Sequence, residues 1–438
     1  MTNSNETRKN FIKYISLSVL GMLAFSGFII IDTFFISVAL GANGLTALNI
    51  SIVVFSIVHG VSLMIGIGGA TRFTIVFESD GNNKIKASKI FVHSLFLAGV
   101  FSVVFVFSGI FFSDKIAGFL GADYIILPLA VPYIKTILIF SPAFFVNNIL
   151  IAFVRNDKNP KLAMASMTVA SLVNIVLDYI FLFSLDMGMF GAAIATVFSV
   201  LVGILILCSH FFMKICSISF YRCKIQIKKL LDIISLGASA FVGEFAFTVS
   251  LITFNLVILS IEGNVGVAAF GIVANITIVP LNIINGVALG VQPLISLSHA
   301  AKNKVEQRSL LKYSLSVVIT LAVLVFIFAN IFNRQIIDVF NSGGNETLQT
   351  LTQMGFRIYF IGLIFAGINM IAAAFFSASE DAKTAVLIST LRSSIVLIPS
   401  LFILSFLFSM NGVWFSFVFA EFIVAIAAIL FLRKKVKF

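Results

Sequence analysis

The sequence predicts an all-α integral membrane fold, with twelve transmembrane helices arranged as two six-helix, pseudo-symmetric bundles. Three observations carry that prediction: the length of the apolar blocks, the one-sided placement of basic residues, and an internal repeat.

The apolar blocks come first. Of 438 residues, 60% are hydrophobic and 11% are charged, with a mean hydropathy of +1.12. A soluble domain carries about a quarter charged residues, and a helix needs about 20 apolar residues to cross the hydrocarbon layer. Helices are predicted near 11–40, 45–77, 88–112, 124–153, 161–183, 189–215, 231–261, 266–299, 308–331, 347–376, 384–408 and 412–432. Breaks rich in Gly and Asn, such as Gly41-Ala42-Asn43-Gly44 and Asn341-Ser342-Gly343-Gly344-Asn345, mark turns between them. The short basic N-terminus (Arg8, Lys9, Lys13) precedes an apolar stretch without a small-residue cleavage pattern, which reads as a retained first helix.

Charge placement fixes orientation. With the N-terminus in the cytoplasm, the inner segments hold Arg8, Lys9, Lys13; Arg72, Lys84, Lys86, Lys89; Arg155, Lys158, Lys161; Lys214, Arg222, Lys224, Lys228, Lys229; Lys302, Lys304, Arg308, Lys312; Lys383; and Arg433, Lys434, Lys435, Lys437. The opposite face holds Lys115 and Arg334 alone. This bias satisfies the positive-inside rule with both termini cytoplasmic. The net charge of +11 therefore needs no nucleic-acid partner. Cys208, Cys216 and Cys223 have no metal or redox spacing and read as reduced, structurally incidental thiols.

The repeat is the third observation. An offset of 222 residues aligns 21–50 with 243–272 without a gap, pairing Gly21 with Gly243, Phe25 with Phe247, Gly41 with Gly263 and Gly44 with Gly266. The same offset pairs Gly68 with Gly290, Lys135 with Arg357, Asn147 with Asn369 and Phe153 with Phe375. Six helices per half give both halves one orientation, and parallel repeats place a substrate site between them. The expected division is an N-terminal lobe over 1–215, a cytoplasmic linker over 216–230 and a C-terminal lobe over 231–438.

Charges inside the helices are the informative exceptions, each costing about 2.5–3.5 kcal/mol at a helix centre on insertion scales. The acids are Asp32, Asp178, Glu244 and Glu421; the bases are Lys135, Arg357 and Arg392. Asp32 lies well inside the first helix, where a carboxyl surrounded by hydrocarbon can take up and release a proton near neutrality. The alternative is a structural carboxylate capped by a neighbouring hydroxyl. Asn174 precedes Asp178 by one turn, so the two share a helix face, and Thr196 adds a hydroxyl from the next helix. Carboxylate, amide and hydroxyl oxygens suit a hard cation such as Na+, although Asn-x-x-x-Asp also serves as an interhelical clamp.

Glu244 falls opposite Met22 in the repeat. The acids are therefore not symmetry copies, which assigns cation coupling to the first half and Glu244, with Asn147, Asn255 and Asn369, to a substrate cavity. A packing carboxyl is the competing reading for Glu244. Lys135 and Arg357 read as snorkelling side chains, with a cation-repelling cavity role as the alternative. Arg392 and Glu421 are expected to pair. Pro142, Pro280 and Pro399 mark kinks. Some of the 50 Phe residues offer cation–π contacts. His59, His93, His210 and His299 show no metal spacing, and no nucleophile with its base or clustered aspartates for Mg2+ appears, so an enzyme is not expected.

At these residues the sequence resembles the multidrug and toxic compound extrusion (MATE) family, in its bacterial multidrug-pump branch. The most specific stretch is Phe153-Val154-Arg155-Asn156-Asp157-Lys158-Asn159-Pro160-Lys161, followed by Asn174-Ile175-Val176-Leu177-Asp178 and Gly188-Met189-Phe190-Gly191-Ala192-Ala193; Ser379-Glu380-Asp381-Ala382-Lys383 and Asn411-Gly412 are the second-half counterparts. The resemblance implies a V-shaped, monomeric antiporter that expels cationic amphiphilic small molecules across the lipid bilayer, without a cofactor beyond its coupling Na+ or H+. It marks Asp32, Asn174, Asp178 and Thr196 as the first-half cation site, and Glu244 as the acidic position of the seventh helix. Two departures stand out. Tyr179 follows Asp178 where many members carry proline, and no acid lies near Ala366, so a second-half sodium site is not expected. A flippase for lipid-linked saccharides is the alternative on a related two-lobe plan, but it calls for a basic cavity.

Overall fold

The computed structural model describes residues 4–81, 83–341 and 345–436. Lys437 and the Ser342-Gly343-Gly344 part of the predicted turn lie outside the described residues. The chain is built from helices: α1 (Ser4–Ser79), α2 (Lys84–Phe111), α3 (Ser113–Phe119), α4 (Leu127–Ile139), α5 (Ser141–Asn156), α6 (Pro160–Tyr179), α7 (Gly188–Cys208), α8 (Ile227–Ala300), α9 (Lys304–Ile331), α10 (Asn333–Phe340), α11 (Glu346–Tyr359), α12 (Gly362–Ala378), α13 (Ala382–Thr390) and α14 (Leu397–Val436). No strand occurs among the described residues.

At about 1.5 Å per residue, an unbroken α1 of 76 residues would be several times longer than the roughly 30 Å hydrocarbon layer is thick. It is broken at Gly41, whose backbone is left-handed (φ 64°, ψ −156°), and α8 is broken at Gly263 in nearly the same conformation (φ 61°, ψ −153°). A residue with a Cβ is strained at such angles, so the repeat preserves glycine where the chain must turn. The duplication also appears in side chains: Asn159 and Asp381 cap the starts of α6 and α13, accepting from Leu162 N and Thr384 N. Lys158 and Glu380, just before those caps, both have positive φ.

Among the described residues, seven helical stretches are long and apolar enough to cross a bilayer, and two bent pairs qualify together. Three of the seven are double-length and break at Gly41, Gly263 and Phe408–Ser409, which brings the count to the expected twelve. The predicted helix over 124–153 is one of the bent pairs, turning by 53° between α4 and α5. Pro142, in the first turn of α5, explains it, since proline cannot supply the N–H that an unbroken helix needs. The repeat-related pair α11 and α12 bends by 44° without a proline. Pro399 lies in the first turn of α14, behind a π-helical turn over Leu391–Ile395, whereas Pro280 sits inside α8.

Contacts gather the chain into two compact units, one of Leu20–Glu244 and the other of Met1–Val19 with Phe245–Phe438. These bounds differ from the expected cut over 216–230, and close backbone packing gives the reason. In the first unit, a Cβ on Gly68 would collide with Ile233 O at the start of α8, and Arg72 pairs with Asp232 at 3.1 Å. In the second unit, a Cβ on the repeat partner Gly290 would meet Ile15 Cα and Tyr14 O at 3.0 Å. The opening turns of α1 and α8 thus each pack with the second span of the other half. The linker belongs to the first unit: Ser88 Oγ donates to Ser217 O and accepts from Ser219 N, both at 3.1 Å, and His93 Nε2 accepts from Gln226 N at 3.1 Å.

Candidate functional site

In the first unit, the polar residues that the sequence marks for cation coupling come together inside the helical packing. Asp32 of α1 is 7% exposed and Asp178, at the end of α6, is 0% exposed. Asn174, one turn before Asp178, and Thr196 on α7 are buried as well. The amide of Asn174 donates to Thr196 Oγ1 at 3.4 Å, and that hydroxyl donates to Ala192 O one turn back at 3.1 Å. The carboxyl groups of Asp32 and Asp178 lie close enough to act directly on each other.

The acceptor count of this cluster exceeds its donor count. Asp32 Oδ1, both oxygens of Asp178 and Asn174 Oδ1 are buried and receive no donor from the described residues. An ionised carboxylate only accepts, so two adjoining carboxylates cannot bond to each other unless a proton lies between them. Like charges at such a distance share one proton or gather a cation. Na+ fits the donor set, because every candidate ligand atom is a hard oxygen. A π-helical turn over Ile180–Ser184 follows Tyr179, directly after Asp178. Wide turns of this kind release backbone groups from regular pairing and recur at functional sites.

Tyr133 on α4 is a part of this cluster that the sequence did not single out. It is 5% exposed, and both carboxyls act on its phenol electrostatically. The available signal was a phenol one residue after Pro132 in an otherwise apolar helix.

The expected cavity residues are not assembled into one site within either unit. Glu244 is half-buried on α8; its Cβ lies 3.3 Å from where a Cβ on Gly60 would stand, and its charge acts on His59. Asn147 is half-buried, with a buried Oδ1 that takes no donor from the described residues. Asn255 and Asn369 belong to the second unit. Asn255 is exposed. Asn369 is fully buried, donating to Glu421 Oε2 at 2.6 Å and Glu421 O at 2.9 Å. The fold therefore places Asn369 in an interior polar lock. Arg392 completes that lock with a fork on Glu421, 2.7 Å from Nη2 and 3.1 Å from Nε to Oε1, as the expected pairing requires. Lys135 and Arg357 are exposed.

One grouping has no counterpart in the spacing of the sequence. Asp157, His210 and Cys216 bring potential ligand atoms within 4.8 Å of one another. Their hydrogen bonds describe a clasp for the linker. Asp157 Oδ2 accepts from Ser217 N at 2.7 Å and lies 2.9 Å from His210 Nε2, while Asn159 Nδ2 is 3.3 Å from His210 Nδ1. Both ring nitrogens are thus engaged by protein groups.

Comparison with known proteins agrees with this architecture. The MatE family profile matches residues 18–180 and again 239–403, once in each half. The multidrug export protein MepA of Staphylococcus saprophyticus is 26% identical over 407 residues, covering 92% of this chain and 88% of that protein. MepA of Staphylococcus aureus strain N315 is 26% identical over 405 residues with the same coverage. Among solved structures, an outward-facing multidrug resistance MATE family transporter of the MOP superfamily superposes with a TM-score of 0.92 at 21% identity, over 98% of this chain and 96% of its own. A single profile that fits twice, at the spacing of the internal repeat and across both glycine-broken helices, settles the family: this chain belongs to the MatE family of multidrug and toxic compound extrusion proteins.

Proposed function

We propose that this multi-pass membrane protein is a multidrug efflux antiporter, exporting cationic amphiphilic small molecules in exchange for H+ or Na+ rather than catalysing a reaction. The observation that carries the coupling is the adjoining pair Asp32 and Asp178, of which Asp32 Oδ1 and both Asp178 oxygens are buried without a donor among the described residues. When H+ or Na+ enters, it cancels one of the pair's two negative charges and draws α1 and α6 together through a shared cation. When it leaves, two like charges face each other and that packing loosens. A bound cation that favours one arrangement, and a drug that favours the other, exchange with each other by differential affinity. The 26%-identical relatives named for multidrug export support the substrate class. An acidic first-half interior speaks against a flippase for anionic lipid-linked saccharides.

The bacterial relatives support a plasma-membrane location, the positive-inside distribution of the loops supports cytoplasmic termini, and the protein is expected to work as a monomer. Dye efflux from reconstituted vesicles, with and without an imposed Na+ or H+ gradient, tests the reading. Export that follows one of these gradients supports it. Export indifferent to both, or none at all, removes it.

A further inference from the structure

Three rings in the first unit form a ladder. His59, on the second span of α1, is stacked on Phe25 from the first span at 5.8 Å and 18°, and on Phe55 at 5.7 Å and 10°. The outer rings are anchored by edge contacts: Phe28 meets Phe25 at 5.1 Å and 77°, and Phe144 of α5 meets Phe55 at 5.8 Å and 87°. Glu244 acts on the middle ring through its charge. It approaches closely because residue 60 is glycine, where a Cβ would already stand 3.1 Å from the Phe241 ring and 3.3 Å from Glu244 Cβ. His59, Phe25, Phe55 and Glu244 are all half-buried, so the ladder is packed without being sealed.

Two parallel π faces with a carboxylate at their side are what a planar organic cation requires, because each face attracts positive charge through its quadrupole and the acid balances it. Here a heteroaromatic ring of the protein holds that position. The edge contacts of Phe25 and Phe55 do not involve the imidazole, so the middle ring is the member of the ladder whose removal leaves the outer two anchored. We propose that the Phe25–His59–Phe55 ladder beside Glu244 is a binding slot for planar aromatic cations, with His59 as an intrinsic occupant that the substrate displaces. This rests on the export of organic cations proposed above, and selects within that class: flat heteroaromatic cations use the slot, and bulky tetrahedral ones do not.

The test is calorimetric titration of the full-length protein in detergent with ethidium, which is planar, and with tetraphenylphosphonium, which is not. Removing one π face by Phe55→Ala is expected to weaken ethidium about tenfold and to leave tetraphenylphosphonium within about twofold. His59→Ala, which removes the competing ring, is expected to tighten ethidium several-fold. His59→Phe keeps the ladder filled with a neutral, well-packed ring and is expected to weaken ethidium, which keeps the proposal testable if either alanine variant fails to fold. Ethidium affinities unchanged in these variants, equal shifts for both cations, or no ethidium binding by the unaltered protein would overturn the slot. Vesicle export separates the two readings. If neither cation is exported, the export reading fails; if both are exported while the variants bind ethidium unchanged, only the slot fails.

Discussion

Glu421 and Asp178 are both almost sealed from solvent, at 2% and 0% exposure, yet their surroundings differ completely. Glu421 is bound by the Arg392 guanidinium and the Asn369 amide, so its charge is balanced and its lone pairs are occupied. Asp178 meets another carboxyl, Asp32, and neither of its oxygens receives a donor from the described residues. At the 222-residue offset, Asp32 and Asp178 correspond to Phe254 and Ser400, and Phe254 is stacked on Phe270 at 5.1 Å. One half spends its buried acid on holding helices together; the other keeps a pair of acids in need of a positive charge. On the proposed coupling role, structure and function are divided between the two copies of the repeat.

The contrast breaks first, and with the largest effect, at Asp32. Asp32→Asn keeps the size and removes one charge, so gradient-driven dye efflux from vesicles is expected to fall to background while the protein remains folded. Second, Glu421→Ala leaves the half-buried Arg392 without its counter-charge. The stability loss should be about 3–5 kcal/mol, read as a shift of the denaturation midpoint in detergent. Replacing both partners together, as Arg392→Leu with Glu421→Leu, should recover most of it. If Asp32→Asn destabilises as much as Glu421→Ala, the distinction between a coupling site and a lock is lost.

A smaller effect lies outside the spans, at the helix cap Asp381. Burial alone would push its carboxyl up, but hydrogen bonds from Thr384 and the ion pair with Lys435, 3.4 Å away, hold it below the ordinary value of 3.8. A depressed folded value means that the stabilisation is complete above 3.8 and is lost as pH falls through the lower folded value. Asp381→Ala should therefore cost about 1 kcal/mol at neutral pH, and the gap in melting temperature should close only in strong acid. The smallest effect concerns the linker. Burial pushes the Cys216 thiol up, with the neighbouring Asp157 adding to it, so alkylation of Cys216 in the folded protein should be slower than that of an exposed peptide thiol at the same pH.

Much of this was legible in the sequence because hydrocarbon makes charge conspicuous. Asp32, Asp178, Arg392 and Glu421 stand out from apolar blocks, and helical periodicity was enough to join Asn174 to Asp178. Gly41 and Gly263 could be paired by offset before their shared backbone angles were seen. Tyr133 could not be read, since a tyrosine in a membrane helix is ordinary until a neighbouring helix brings carboxyls to it. Asn147 and Asn369 are repeat partners whose surroundings diverged. Only the second half supplies a glutamate to the amide, and an offset carries identity without environment. The bounds of the compact units differ from the repeat division for a similar reason. Hydropathy marks where a helix crosses the bilayer, whereas Gly68 and Gly290 decide which neighbour its opening turns touch.

Counterflow in vesicles tests the central claim most directly, with the dye and the coupling cation followed in the same sample for unaltered protein and Asp178→Asn. The dye should leave as H+ or Na+ enters in the unaltered protein, and both movements should stop together in the variant. Full exchange by Asp178→Asn would contradict the account, because the adjoining carboxyl pair would then have no part in coupling.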